Sequence, residues 1–158
     1  MDVKGGLLIV SGIVALSMSL YIVYNKSIPA AVPKQVSEFI VKEINCLENN
    51  IHYEADGEPF IGKLAVGMVT VNRAKLSGKS LCDTVYEPNQ FSWTLKPRNL
   101  NARVSPDTKL ATLMVLNNTV PLEYLSEITY FHNTTVSPKW AKNKREILSI
   151  GGHKFYAE

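Results

Sequence analysis

The segment YEADGEP, residues 53–59, marks a corner between two predicted helices and decides how the chain folds. Upstream of it, apolar residues recur every three or four positions and predict one amphipathic helix over residues 35–54. Gly57 is expected to end that helix as a C-cap glycine, and Pro59 stands in the first turn of the next helix, where its missing N–H costs nothing. The apolar stripe of the first helix consists of Val36, Phe39, Ile40, Ile44, Leu47 and Ile51.

A carboxyl group lies on this apolar stripe. Glu54 follows Val36 by about five turns, at about 3.6 residues per turn, so its side chain projects from the stripe itself. A carboxyl that faces a core or a cleft wall has a raised pKa, which is what a general acid needs. Glu43 lies only about 20° away on the same helical wheel, so periodicity alone does not choose between the two.

Downstream of the corner, helical patterns give way to strand patterns. Asn72, on the apolar stripe of the second helix, is expected to be a buried hydrogen-bonding hub, and Gly151-Gly152 has the composition of a hairpin turn. The sequence therefore predicts an α+β domain, helical with a small C-terminal antiparallel sheet. The predicted helices run from Glu58-Pro59 to Ser77-Gly78, over about residues 82–86, and from Ser105-Pro106-Asp107 onward, and the predicted strands cover residues 128–132 and 147–156.

The N-terminal segment has a different character. Residues 5–24 carry no charge and lie between Lys4 and Lys26. A helix of that length, at about 1.5 Å per residue, spans roughly 30 Å, the thickness of the hydrocarbon core of a bilayer. We therefore expect an N-terminal transmembrane signal-anchor over residues 1–26, a linker over 27–34 and a folded domain over 35–158. A cleaved signal peptide is the alternative.

Charge and cysteine content indicate which partners and which kinds of cysteine site the protein can have. The 17 basic residues exceed the 14 acidic ones by only three and are scattered, so nucleic acid is not an expected partner. Two cysteines are too few for a zinc ribbon. In an oxidising compartment Cys46 and Cys82 are expected to form one disulfide, and two buried thiols are the alternative.

Short motifs follow the corner in a recognisable order. The E-A-x-G-E pattern of residues 54–58 is the first. In this order the motifs resemble those of the SleB/CwlJ-type cell-wall hydrolases, the spore-cortex-lytic family that also occurs in Gram-negative bacteria and phages. Asp56 is a departure from the family pattern, in which Arg is common at this position. The resemblance covers about residues 43–156. The later matches are Leu64-Ala65-Val66-Gly67, Val71-Asn72-Arg73, Val85-Tyr86, Gln90-Phe91-Ser92-Trp93, Tyr130-Phe131-His132-Asn133, Pro138-Lys139-Trp140 and Ile150-Gly151-Gly152-His153-Lys154-Phe155-Tyr156.

The resemblance implies a lysozyme-like or lytic-transglycosylase-like fold and a peptidoglycan substrate, cleaved between N-acetylmuramic acid and N-acetylglucosamine. It makes Glu54 the catalytic acid, which then acts as the base that takes a proton from the substrate's 6-hydroxyl and gives a 1,6-anhydro product. A muramidase that uses water or a protein nucleophile needs a second carboxylate. Glu58 is the nearby candidate, and capping of the second helix is its alternative role.

The same motifs supply candidates for substrate binding. Aromatic faces stack on sugar rings, although any single ring could instead belong to the core. Polar loop residues could hydrogen-bond the glycan or only shape the loop, and the histidines could be substrate contacts or structural. The candidates are Glu58, Gln90, Phe91, Ser92, Trp93, Tyr130, His132, Trp140 and His153.

Two rival functions belong to other classes. A zinc amidase could use His52, His132 and His153, but His52 falls about 160° from Glu54 on the wheel and no H-E-x-x-H spacing exists, so we predict no metal site and no cofactor. Loss of activity in EDTA would revive that rival. A non-catalytic accessory protein would bind wall sacculi without lowering their turbidity.

A peptidoglycan substrate also determines the expected location. We expect a single-pass inner-membrane protein with a cytoplasmic N-terminus and a periplasmic catalytic domain, or a domain released into the periplasm. A weakly hydrophobic anchor joined to a bare wall-cutting domain is typical of phage endolysins, so host lysis is the expected role. Bacterial wall remodelling is the alternative.

Overall fold

The computed structural model describes residues 34–96 and 103–158, and there it has the predicted α+β class. Four α-helices precede a three-stranded antiparallel sheet, and short 3-10 helices lie at Ser92–Leu95, Glu123–Ser126 and Lys139–Asn143. The helices are α1 (Lys34–Ala55), α2 (Phe60–Ser77), α3 (Leu81–Val85) and α4 (Pro106–Leu116), and the strands are β1 (Tyr130–Asn133), β2 (Arg145–Ile150) and β3 (His153–Ala157).

The corner between α1 and α2 forms where it was predicted, but Gly57 does not end α1 as a C-cap. Only Gly78 and Gly151 among the described glycines have a positive φ, so Gly57 is not a left-handed C-cap. Instead, the buried Lys63 ammonium donates to the carbonyl of Ala55 at 2.6 Å and to that of Asp56. A cation at this position satisfies the last carbonyls of α1 and opposes the negative end of its dipole.

Helix α2 is the centre of the core, and most of its side chains are buried. Gly67 allows a close approach, because a Cβ there would lie 2.9 Å from Ile51 and 3.1 Å from Val115. Asn72 is the predicted hub, since its amide donates to the carbonyls of Leu125 at 2.9 Å and Ile128 at 2.8 Å. These bonds attach the chain leading into β1 to α2.

Only the second half of the predicted stripe on α1 is buried in the core. Leu47 and Ile51 are fully buried, whereas Val36, Phe39 and Ile40 are 47%, 58% and 47% exposed. The apolar stripe therefore extends beyond the part of the helix that is buried. An amphipathic pattern identifies an apolar face but not the length of it that the rest of the domain covers.

The sheet has the order β1-β3-β2, and the predicted turn at Gly151-Gly152 joins β2 to β3. Its inner face packs on the helices through Phe131 and Phe155, whose rings are 5.7 Å apart. Its outer face carries His132 and Tyr156, with rings stacked at 5.3 Å. The two faces follow from the alternation of side chains along each strand.

The predicted disulfide is present between Cys46 and Cys82 and links α1 to α3. The predicted membrane span over residues 5–24 and its linker up to residue 33 lie outside the described residues. Within the part of the chain that the structure describes, no helix is long and apolar enough to cross a bilayer.

Candidate active site

Glu54 lies in the last turn of α1 and is partly buried. Burial raises the pKa of its carboxyl, and the positive charge of Arg73 opposes that rise. None of the side chains described here donates a hydrogen bond to the carboxyl. A partly buried carboxyl with a raised pKa holds its proton more readily than an exposed one, which is the property that a general acid needs.

Arg73 is a site residue whose role the sequence analysis missed. Its Nε donates to the carbonyl of Thr129 at 2.6 Å, and its guanidinium lies 5.3 Å from the ring of Phe91 and 5.6 Å from that of Tyr130. Its Nη1 is buried and has no hydrogen-bond acceptor among the described residues. Burial lowers the pKa of Arg73, while the charges of Tyr130 and Glu54 raise it. The signal that could have indicated this residue is a single arginine in an otherwise apolar helix face.

The structure separates Glu43 from Glu54. The Glu43 carboxylate accepts hydrogen bonds from the backbone N–H groups of Leu81 at 2.6 Å and Cys82 at 3.2 Å. It therefore satisfies the first turn of α3 beside the disulfide. Periodicity could not distinguish the two glutamates, because the partner of Glu43 lies on another element.

Glu58 holds the β2–β3 turn rather than capping α2. Its Oε2 accepts from the N–H of Gly152 at 2.9 Å, and its Oε1 lies 3.4 Å from Nδ1 of His153. A Cβ on Gly151 would lie 1.9 Å from Oε2, so the turn fits closely around the carboxylate. The N-cap of α2 is Pro59 and no side chain caps it, so the helix-capping interpretation of Glu58 is wrong.

Two of the candidate sugar-binding rings are core residues. Phe91 is 2% exposed and Trp93 is 4% exposed. The Trp93 indole donates to the amide oxygen of Asn50 at 2.8 Å and stacks on Tyr53 at 4.8 Å. Rings this deeply buried cannot stack on a glycan, which corrects the expectation that they line the groove. Gln90 and Ser92, on the same loop, are exposed and stay candidates.

The outer face of the sheet brings three other candidates together. Trp140 is 37% exposed, and its ring lies 5.5 Å from that of Tyr130 and 5.6 Å from that of His132. The Nε2 of His132 lies 2.9 Å from the hydroxyl of Tyr156. Trp140 is accessible to a substrate, whereas Tyr130 and His132 are half-buried and Tyr156 is buried. The group adjoins Arg73 through Tyr130.

His153 lies on the opposite face of the sheet from this group. It is 6% exposed, meets the ring of Phe131 edge-on at 5.2 Å and contacts Glu58. Burial lowers the pKa of His153, and the charge of Glu58 opposes this. Its surroundings give it a structural role and correct its assignment to substrate binding.

The described residues offer no group of three or more His, Cys, Asp or Glu side chains that could hold a metal ion. His52 is instead paired with Asp56, with 3.3 Å between Nδ1 and Oδ1. The three histidines of the zinc rival are thus engaged separately, with Asp56, Tyr156 and Glu58.

Comparison with known proteins agrees with the fold and with the family resemblance. Spore cortex-lytic enzymes of Bacillus cereus and Bacillus subtilis strain 168 are 26% and 27% identical to this chain over 72% and 74% of its length. The chain spans 43% and 38% of those two relatives. The match therefore concerns one portion of each relative.

Two solved structures resemble the domain. The catalytic domain of Bacillus cereus SleB has a TM-score of 0.63 and 25% identity, and the comparison covers 72% of this chain and 88% of that one. The catalytic domain of the germination-specific lytic transglycosylase SleB from Bacillus anthracis also has a TM-score of 0.63, at 23% identity. That comparison covers 82% of this chain and 99% of the other. The second comparison bears on the fold alone.

The family model described as Cell Wall Hydrolase matches residues 57–156. This match begins after Glu54, so it supports the domain without testing the catalytic glutamate. It includes Glu58, the outer face of the sheet and the turn at Gly151-Gly152. Because the match covers more than half of the chain, and because spore cortex-lytic relatives and a SleB catalytic domain agree with it, the protein belongs to the SleB-type cell wall hydrolase family.

Proposed function

We propose that this protein cleaves the glycan strand of peptidoglycan between N-acetylmuramic acid and N-acetylglucosamine, as a lytic transglycosylase. The observation that carries the proposal is the contrast among the three nearby glutamates. Backbone N–H groups engage the carboxylates of Glu43 and Glu58, whereas the Glu54 carboxyl is partly buried and has no described hydrogen-bond donor. One available carboxyl fits a mechanism that needs only one.

In this mechanism Glu54 acts twice. Its protonated carboxyl donates the proton to the glycosidic oxygen as the bond from that oxygen to C1 of the muramic residue breaks. The resulting carboxylate takes the proton of the 6-hydroxyl as O6 bonds to C1, which closes the 1,6-anhydro ring and restores the acid. Arg73 supports the intermediate stage, because its positive charge favours the carboxylate form of Glu54.

The two-carboxylate muramidase is the second candidate, with Glu58 as the additional group. Its Oε2 already accepts from the N–H of Gly152 at 2.9 Å, and its Oε1 lies 3.4 Å from Nδ1 of His153, which favours the single-carboxylate reaction. The spore cortex-lytic relatives support peptidoglycan as the substrate in either case.

Mass spectrometry of digested sacculi separates these reactions. The transglycosylase gives fragments that end in 1,6-anhydro-muramic acid. Reducing muramic ends would instead identify a hydrolase, and freed stem peptides would identify an amidase. Binding to sacculi without any fragment would leave only an accessory role.

A further inference from the structure

A cleft of about 470 Å³ lies on the outer face of the sheet. Its aromatic side is formed by His132 and Tyr156, and the turn after β1 faces them. The 3-10 helix Lys139–Asn143 borders the cleft and places Trp140 against both rings, at 5.6 Å from each. The cleft is therefore built from rings and a short helix of fixed position rather than from a loop alone.

Positive charge predominates around this cleft. Its lining includes Lys142, Lys144 and Lys154 and a single carboxylate, that of Glu146. Lys154 is paired with Glu146 at 3.2 Å, and Lys144 is paired with Glu158. Lys142 is exposed and has no ion pair within residues 34–96 and 103–158. The cleft thus presents an ammonium group that an anionic ligand can pair with.

Tyr130 connects this cleft to the candidate active site. The guanidinium of Arg73 lies 5.6 Å from its ring, and the ammonium of Lys144 lies 4.3 Å from the same ring. Arg73 in turn interacts electrostatically with Glu54. One aromatic side chain, that of Tyr130, therefore separates Arg73, whose charge acts on Glu54, from Lys144 of the cleft.

We propose that this cleft binds the carboxylate-bearing stem peptide of the peptidoglycan strand being cleaved. The inference rests on the proposed function, which places a muramic residue at Glu54. The stem peptide is attached to that sugar and carries several carboxylates, which are the groups that a basic cleft near the active site can pair with. The lysines would hold the carboxylates as point charges, and the ring of Trp140 would pack against the peptide's aliphatic groups.

The test compares two substrates of equal glycan length, one with intact stem peptides and one stripped of them by an amidase. Lys142→Glu should lower kcat/KM on the stem-bearing strands by about fivefold at low ionic strength, and should leave the stripped strands unaffected. The loss should shrink in 1 M salt, where the Debye length is about 3 Å. Lys109→Glu, the same charge change at an exposed position of α4, is the matched control. It should change kcat/KM equally on the stem-bearing and the stripped strands.

A binding measurement makes the test independent of turnover. A synthetic stem tripeptide should perturb the Trp140 indole signal in the NMR spectrum of the wild-type protein, and less so in Lys142→Glu. An amidated tripeptide, which has lost its carboxylates, should bind more weakly to the wild type. Equal losses on both strand types, or no loss on either, would overturn the stem-peptide assignment. If the wild type cleaves neither strand type, the proposed function itself has failed.

Discussion

Glu54 differs from its acidic neighbours in what surrounds it rather than in its position along the helix. Glu43 and Glu54 share one face of α1, but backbone N–H groups of α3 stabilise the Glu43 carboxylate. Hydrogen bonds from N–H groups favour the charged form of a carboxyl, whereas desolvation favours the neutral form. Burial at Glu54 therefore favours the protonated form, which is the form that the proposed reaction needs.

Glu54→Gln should remove cleavage and leave substrate binding. The amide keeps the shape of the side chain but has no proton to transfer, and general acid–base assistance is worth about 10²–10⁴ in rate. Clearance of sacculi turbidity measures the loss, with circular dichroism to confirm folding. Glu43→Gln is the control, because it should lower the melting temperature and keep most of the activity. A folded Glu54→Gln protein with more than about a tenth of wild-type activity would refute the assignment.

Arg73 should tune the pH range in which Glu54 works. Its charge lowers a pKa that burial raises, so Arg73→Met should raise the pKa of Glu54 further. The acid then stays protonated to higher pH, and the alkaline limb of the kcat/KM profile moves upward. Arg73→Lys keeps the charge and should leave the limb near its wild-type position even where the rate falls. A limb that shifts equally in both variants would mean that Arg73 acts through packing alone.

At the scale of elements, the parts that could be predicted are those with local signals. The helix start predicted at Ser105-Pro106-Asp107 is one of them, and the hydroxyl of Ser105 caps α4 by accepting from the N–H of Thr108 at 3.2 Å. The contact between Glu58 and Gly152 joins residues 94 positions apart, so the periodic pattern of neither element could predict it. The same reasoning applies to Lys63, because a lysine in a helical pattern is normally assigned to the solvent face.

The β2–β3 turn should tolerate almost no side chain at Gly151. A Cβ there would meet Glu58 and lie 2.9 Å from Pro59, and the φ of +54° disfavours other residues. We expect Gly151→Ala to destabilise the domain by about 1–3 kcal/mol, measured by urea unfolding. Gly57→Ala is the matched control in the neighbouring turn, where a Cβ meets nothing within 4 Å, and it should be neutral. Equal stability of the two variants would contradict the close fit around Glu58.

The disulfide should stabilise the domain by restricting the unfolded chain. Cys46 and Cys82 are 36 positions apart, and closing a loop of that size constrains the unfolded chain by roughly 3–4 kcal/mol. The Cys46→Ala/Cys82→Ala double variant should therefore melt at a lower temperature and remain active when cold. Thiol alkylation of denatured, unreduced protein isolated from the periplasm provides the direct check. Two reactive thiols per chain would show that the bridge does not form there.

At the scale of the whole molecule, the proposed peptidoglycan substrate leads us to expect the domain outside the inner membrane. The Cys46–Cys82 bridge agrees with this, because disulfides persist in oxidising compartments. The uncharged run over residues 5–24 would supply the anchor. We therefore expect proteinase K to digest the domain, residues 35–158, in intact spheroplasts while a cytoplasmic marker survives. The intact mass of the membrane-bound protein then distinguishes a retained anchor from a cleaved signal peptide. Protection of the domain until detergent is added would place it on the cytoplasmic side and contradict the proposed orientation.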